Sequence, residues 1–267
     1  MRPHGGSPIT GVRNPNGLEL IRVPIEGNDW MERKVFIDAG GHLGETLSVA
    51  MQQRWAFDKI WTFEPVRGCA ELLRAMADDR VEVVQAGLWS SNSEMVIHDP
   101  GMLHASVDVA ASRLGEVEFC VFVDAAEWMA ANVLDTDVVW MKINVEAAEI
   151  EILDRLIESG QIRKIDHLVI HFDVEKIGRK EEAFEMRRAL NRAGIDWREA
   201  REVMFGDTAS DKTECWLGWT HGDWWSFNLS RVEHKAREII WRSRKSVRRV
   251  LGSHRGSAGT PPDRQAS

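Results

Sequence analysis

The stretch that most constrains this chain is Val35-Phe36-Ile37-Asp38-Ala39-Gly40-Gly41-His42-Leu43-Gly44, an apolar run that ends in an acid and then breaks into glycines. It reads as a buried strand delivering Asp38 to its carboxyl end. Glycines then let the backbone pass close to a ligand before a helix begins near Leu43. A dinucleotide loop would read G-x-G-x-x-G. Here Ala39 holds the first glycine position, and Asp38 stands directly before the turn, where it repels a pyrophosphate. The next apolar run, Lys59 to Pro65, brings Glu64 to its end, 20 residues after Gly44, where a carboxylate can accept both hydroxyls of a ribose. The two strand ends favour an adenosine ligand that carries positive charge in place of phosphate, which is the chemistry of S-adenosylmethionine.

Apolar runs and helical stripes alternate along the chain. They predict strands at 35–38, 59–64, 81–86, 94–98, 117–123, 138–143, 165–172, 197–204 and 214–220, and helices at 43–54, 66–78, 124–133, 146–158 and 181–193. That is an α/β chain with a doubly wound, mostly parallel sheet. The last two strands, separated by 206–213, read as an antiparallel hairpin at one edge. Helix 146–158 carries a clear stripe, with Val145, Ala148, Ile152, Leu153, Leu156 and Ile157 at helical spacing and Gly160 as its C-terminal stop. Leu168, Val169 and Ile170 form a continuous apolar centre, as expected of a strand covered on both faces, and its carboxyl end presents His171 and Asp173.

One domain over 18–230 is expected, preceded by a loose Gly/Pro/Asn-rich arm at 1–17 and followed by a Gly/Ser/Pro tail at 252–267. The net charge of −8 hides an asymmetry. Residues 231–255 hold nine Lys or Arg against Glu233 and Glu238, a net of +7; Asp263 and Arg264 cancel, which leaves −15 on residues 1–230. So acidic a body is a poor nucleic-acid surface. Val232, Ala236, Ile239, Ile240, Val247, Val250 and Leu251 keep helical spacing against basic residues, so 231–251 reads as a basic amphipathic helix. It docks on its own acidic body, on an anionic membrane surface or on a partner protein. No stretch approaches the roughly 20 apolar residues of a membrane span, and Met1 to Gly17 lacks a signal-peptide core, so a cytoplasmic protein is expected. Cys69, Cys120 and Cys215 show no C-x-x-C spacing, and His98, His104, His171 and Asp173 show no metal-ligand spacing; neither a disulfide framework nor a metal is expected.

Three strand ends therefore converge: Asp38-Ala39-Gly40-Gly41 with Gly44, Phe63-Glu64-Pro65, and Met141-Lys142-Ile143-Asn144-Val145-Glu146-Ala147-Ala148-Glu149. Over roughly residues 33 to 172 this set resembles the FkbM-type methyltransferases. Asp38, Gly40 and Gly44 match the family's first motif, with His42 in place of the usual Asn, and Phe63, Glu64 and Pro65 match its second. Lys142, Glu146, Ala148 and Glu149 match its third, with Asn144 in place of Asp and Ala147 in place of Gly. The resemblance implies the class I methyltransferase fold, a Rossmann-like seven-stranded sheet with a C-terminal antiparallel hairpin. It also implies S-adenosylmethionine as cofactor, held by Asp38, Gly40, Gly41, Gly44, Glu64 and Asn144. The activity implied is O-methylation of a hydroxyl on a small molecule, sugar, glycan or secondary metabolite.

A lysine closing an apolar strand must reach a polar partner, so Lys142 is a candidate functional residue. A neutral histidine can take the acceptor's proton, which makes His171 or His104 the candidate base, with Lys142 and Asp173 positioning. Two rivals stand beside this reading: a nicotinamide-dependent oxidoreductase, and a methyltransferase-like binding or scaffold protein in which Asn144 and Ala147 have weakened catalysis.

Overall fold

The computed structural model describes residues 32–102, 105–107, 114–223, 227–235 and 237. In chain order the strands are β1 (Lys34–Ala39), β2 (Lys59–Phe63), β3 (Val81–Val84), β4 (Gly87–Trp89), β5 (Ser93–His98), β6 (Val117–Asp124), β7 (Val138–Ile143), β8 (His167–Ile170) and β9 (Trp197–Glu199). The helices are α1 (Glu45–Ala50), α2 (Arg67–Met76), α3 (Ala125–Asn132), α4 (Glu149–Glu158), α5 (Lys180–Ala193), α6 (Ala200–Val203) and α7 (Ala209–Thr220). Six strands form one parallel sheet in the order β3-β2-β1-β7-β8-β9, and β4-β6-β5 form a separate three-stranded sheet. The chain winds outward from β1 to β3, then resumes on the other side of β1 with β7. A crevice therefore opens beyond the carboxyl ends of β1 and β7, the place where open α/β sheets bind ligands.

Alternation along the strands sorts the core into two layers. Val35, Ile37 and Ala39 face a cluster with Met129, Ile152, Leu156 and Leu190 of α3, α4 and α5. Phe36 faces the opposite cluster, with Leu47 of α1, Leu73 of α2 and Trp216 and Leu217 of α7. Asp38 lies one pleat beyond Phe36 and pairs in register with Thr62 on one side and Lys142 on the other; Lys142 pairs in turn with Val169. One face of the sheet thus changes from aromatic and aliphatic to polar at its carboxyl end. The small sheet packs Ile97, Cys120 and Phe122 against Val66 and Cys69 at the start of α2.

The expected seven-stranded sheet with a C-terminal hairpin is corrected to six parallel strands. Strand 197–204 stops at Glu199, where α6 begins, and 214–220 is the end of a helix, α7. The helix is set by its start. Thr208 accepts from the Asp211 N–H at 3.0 Å while Asp211 accepts from the Thr208 N–H at 3.0 Å, a reciprocal cap that commits the following residues. Thr213, Trp216 and Leu217, at i, i+3 and i+4, then share the buried face. Helix 146–158 begins only at Glu149, because Glu146 and Ala147 have φ of 45° and 79°, which no right-handed helix contains.

Residues 231–235 and 237 of the basic segment are helical, and Arg237 pairs with Asp207 of the body. Val232, counted on the apolar stripe, is 64% exposed. The remainder of 231–251, the arm 1–17 and the tail 252–267 lie outside the described residues. Among the described residues no helix is long and apolar enough to cross a membrane.

Candidate active site

A cleft of about 280 Å³ occupies the crevice, close to the lower end of the roughly 300–1,000 Å³ usual for small-molecule sites. Its floor and walls include Gly40, Gly41, Glu64, Lys142, Asn144 and His171, so six of the expected site residues meet on one surface. Asp38 does not line the cleft. It is fully buried beneath it, where its Oδ1 accepts from Lys142 Nζ at 2.9 Å and its Oδ2 has no hydrogen-bond partner. Burial pushes the Asp38 carboxyl up, and the Lys142 ammonium draws it back. Asp38 therefore addresses the cleft through Lys142, which is the polar partner a lysine at this strand end requires.

The glycine turn is held by the protein itself. The Gly40 and Gly41 N–H groups donate to the Phe63 carbonyl at 3.1 and 3.0 Å, and the Asn144 N–H donates to the Ala39 carbonyl at 3.0 Å. Gly40 has φ of 93°, and a Cβ there would overlap the Asn144 carbonyl oxygen; one on Gly41 would overlap Thr62 Oγ1. Gly44, with φ of 89°, lies off the cleft wall, and a Cβ there would overlap Met76 Sδ. At Gly40 and Gly41 the absence of a side chain is thus required by neighbouring protein atoms as well as by any close ligand, and at Gly44 glycine is favoured by the backbone conformation. Glu64 closes the turn: its Oε2 accepts from the His42 N–H at 2.8 Å and its Oε1 from the Val66 N–H at 2.9 Å. Burial nevertheless raises its proton affinity. Two of its roughly four lone-pair positions are used, so it retains acceptor capacity toward the cleft.

The other wall is built by β7, β8 and the turns that leave them. His171 lines the cleft with its Nε2 unpartnered and buried. Burial and the Lys142 charge push its pKa down to about 4, so the ring is neutral at neutral pH and a weak base. His171 is on that ground poorly suited to the role of base expected of it. Asp173 lies off the wall, where Lys176 Nζ sits 2.8 Å from its Oδ1 and 3.5 Å from Glu146 Oε2. His104 lies outside the described residues.

The wall also includes Glu146, Lys212 and Thr213, outside the expected set of site residues. Glu146 enters the cleft from the left-handed turn after β7, with its carbonyl held by Ser106 Oγ at 2.9 Å. Burial and the neighbouring Asp173 push its carboxyl up to about 7. Lys212 and Thr213 come from α7, which the strand reading of 214–220 hid; the Thr208/Asp211 cap was the signal that would have exposed them. Behind the wall, Glu149 is fully buried, accepts from the Ala147 and Asp173 N–H groups at 3.2 Å each, leaves Oε2 unpartnered, and is pushed by burial up to about 7. Apolar residues complete the cleft on the side of the small sheet: Val66, Leu88, Ile97, Val107 and Phe122. Trp216 is core, 1% exposed, while Trp224 and Trp225 lie outside the described residues. Among the described residues no group of three or more His, Cys, Asp or Glu is disposed to hold a metal ion.

No protein-family model and no curated protein matches the chain. Among solved structures the chain is similar to a methyltransferase FkbM from Methylobacillus flagellatus KT, at 16% sequence identity and a TM-score of 0.35, over 53% of this chain and 33% of that one. The chain spans about a third of the length of that protein.

Proposed function

We propose that this chain is an S-adenosylmethionine-dependent methyltransferase acting on a hydroxyl of a small molecule, sugar or glycan. The observation that carries the reading is the cleft at the switch between β1 and β7, walled by the Gly40–Gly41 turn and by Glu64 at the end of β2. The residues present fit the cofactor. Glu64 has acceptor capacity left for ribose hydroxyls, and the apolar side formed by Val66, Leu88, Ile97 and Phe122 suits a planar base and excludes water. Bound there, S-adenosylmethionine supplies a methyl group on a positively charged sulfur.

The protein's own contribution is alignment, which alone accounts for a large part of the rate of such a displacement. The buried Asp38–Lys142 pair fixes the floor between the two sides of the cleft, and neutral His171 offers a hydrogen bond from the β8 side. A nicotinamide dinucleotide fits less well. Glu45, in the first turn of α1, lines the cleft beside Glu64 and sets a second carboxylate against a pyrophosphate.

A binding protein without turnover is the second reading, favoured by the packing that already demands Gly40 and Gly41. Calorimetric titration with S-adenosylmethionine, S-adenosylhomocysteine and NAD tests the proposal. Heat with the first two and none with NAD is expected, and no heat with S-adenosylmethionine overturns it. Transfer of labelled methyl to a panel of hydroxyl acceptors then separates the enzyme from the binding protein.

A further inference from the structure

We infer that Glu146 is the group in this cleft that takes the proton from the methyl acceptor, with Asp173 and Lys176 as its positioning residues; the inference rests on the methyltransferase reading above. Of the polar groups that reach or border the cleft, three are already committed. Lys142 is bound to Asp38, both oxygens of Glu64 take backbone N–H groups, and Asp173 holds Lys176 at 2.8 Å. Glu146 is different. Its side chain is 25% exposed, it lines the cleft, its ion pair to Lys176 is long at 3.5 Å, and its carboxyl is hydrogen-bonded to Asp173.

The backbone holds Glu146 in that place at a cost. Glu146 and Ala147 are consecutive left-handed residues, neither of them glycine. Such conformations persist only where the surroundings over-determine them, and they gather at functional sites. Here Ser106 holds the Glu146 carbonyl at 2.9 Å, and Glu149 holds the Ala147 N–H at 3.2 Å from a fully buried position. The turn is clamped from both sides at the wall of the cleft.

The charged groups around that carboxyl give it the chemistry of a base. Asp173, from the turn after β8, and burial raise it; Lys176, from the same turn, lowers it, and the balance leaves it at about 7. Glu149 of α4 stands next to Asp173, while Lys142 and Lys212 bear on His171. A carboxylate that binds its proton near pH 7 is a far better acceptor for a hydroxyl proton than a histidine at about 4. In the step, the acceptor O–H bond breaks with its proton passing to a Glu146 carboxylate oxygen, and the oxygen forms a bond to the methyl carbon. The carbon–sulfur bond breaks with its electron pair left on sulfur, so a sulfonium donor becomes a neutral thioether.

The test has two arms. In the first, carboxyl carbons of the unliganded protein are followed by NMR from pH 4 to 9 in the wild type, Glu146→Gln and Glu149→Gln. A carboxyl that titrates near pH 7 and vanishes only in Glu146→Gln is expected; if every signal lost in that variant titrates below about pH 5, in the ordinary carboxylate range, the inference is overturned. This arm needs no acceptor. In the second, methyl transfer from S-adenosylmethionine to sugar and phenolic hydroxyls is measured. Glu146→Gln is expected to lower kcat by about 100- to 10,000-fold and to remove the acid limb of its pH profile, with calorimetric affinity for S-adenosylmethionine kept within about twofold. Undiminished kcat overturns the base while leaving the methyltransferase reading in place. Failure of the wild type to bind S-adenosylmethionine overturns that reading itself.

Discussion

The two walls of the cleft differ in how far their groups are paired. On the β1–β2 side most features that suggest a ligand in the sequence also have a structural occupation, although Asp38 Oδ2 and Thr62 Oγ1 lack a partner and His42 is left-handed. Gly40 and Gly41 accommodate Asn144 and Thr62, Glu64 ties together His42 and Val66, and Asp38 neutralises Lys142. On the β7–β8 side the groups are left in tension. Glu146 and Ala147 are left-handed, Glu149 Oε2 and His171 Nε2 have no partner, and two carboxyls are pushed up to about 7. A more fully paired wall gives a more rigid seat for an arriving ligand. A strained, incompletely paired wall stores the free energy and proton affinity that chemistry draws on. This places rigidity on one side of the cleft and reactivity on the other.

The largest expected effect tests the rigid side. Lys142→Met removes the partner of a fully buried carboxylate and should destabilise the protein by about 3–5 kcal/mol, read from denaturant unfolding at pH 8. Stability within about 1 kcal/mol of wild type would mean that Asp38 reaches solvent and that the β1 wall is not the dry seat described here. Gly40→Ala should cost about 2–5 kcal/mol, from overlap with the Asn144 carbonyl and from the positive φ together. Gly68, in the helix α2 with nothing within 4 Å of a built Cβ, is the control. Gly68→Ala should stabilise by about 0.5–1 kcal/mol. Equal effects at the two glycines would remove the packing argument for the turn.

These two contrasts also mark what the sequence makes legible. β1, β2, β7 and β8 are visible because both sheet faces are covered, so each is a short continuous apolar run, and the acids at their ends are visible because they interrupt it. The run Cys215-Trp216-Leu217-Gly218-Trp219 is equally continuous, but it is helical. Over so few residues apolar continuity does not separate strand from helix, and the deciding signal, Thr208 with Asp211, stands upstream of the run. The Asp38–Lys142 pair depends on a register between residues 104 apart in sequence, which no local pattern encodes. Ala147 hides its conformation because alanine, unlike glycine, does not announce a positive φ. The rise of Glu149 and the fall of His171 come from burial that only the assembled layers create.

On the reactive side the pH dependence of stability separates two opposed groups. Glu149 binds its proton near 7 folded and near its usual 4.5 unfolded, so the stability from that proton is complete below about 4.5 and lost as pH rises through about 7. His171 is pushed from its usual 6.5 down to about 4, so its contribution is complete above 6.5 and lost as pH falls through about 4. Between roughly 4.5 and 6.5 the His171 slope opposes that of Glu149 and that of Glu146, which is also pushed up to about 7, each amounting to at most about 1.4 kcal/mol per pH unit. Glu149→Gln should therefore remove one carboxyl slope, so that acidification through this window favours stability less than in the wild type. His171→Gln should do the reverse. If neither variant changes the slope, the tension assigned to this wall is absent.

The smallest effect bears on the turn itself. Ala147 stands at φ of 79°, where a Cβ meets the following carbonyl and costs roughly 1–2 kcal/mol that glycine avoids. Glycine brings back about 0.5–1 kcal/mol of unfolded-chain entropy in opposition. Ala147→Gly should then be neutral to stabilising by about 1 kcal/mol, a rise of a few degrees at most in melting temperature for a chain of this length. The sign matters more than the size, since nearly every other substitution at a position 6% exposed lowers stability. A loss of more than about 1 kcal/mol would mean that the Ala147 methyl is packed well enough to outweigh its backbone strain. The clamp on Glu146 would then come from side-chain contacts, and the contrast between a relaxed and a strained wall would lose its backbone half.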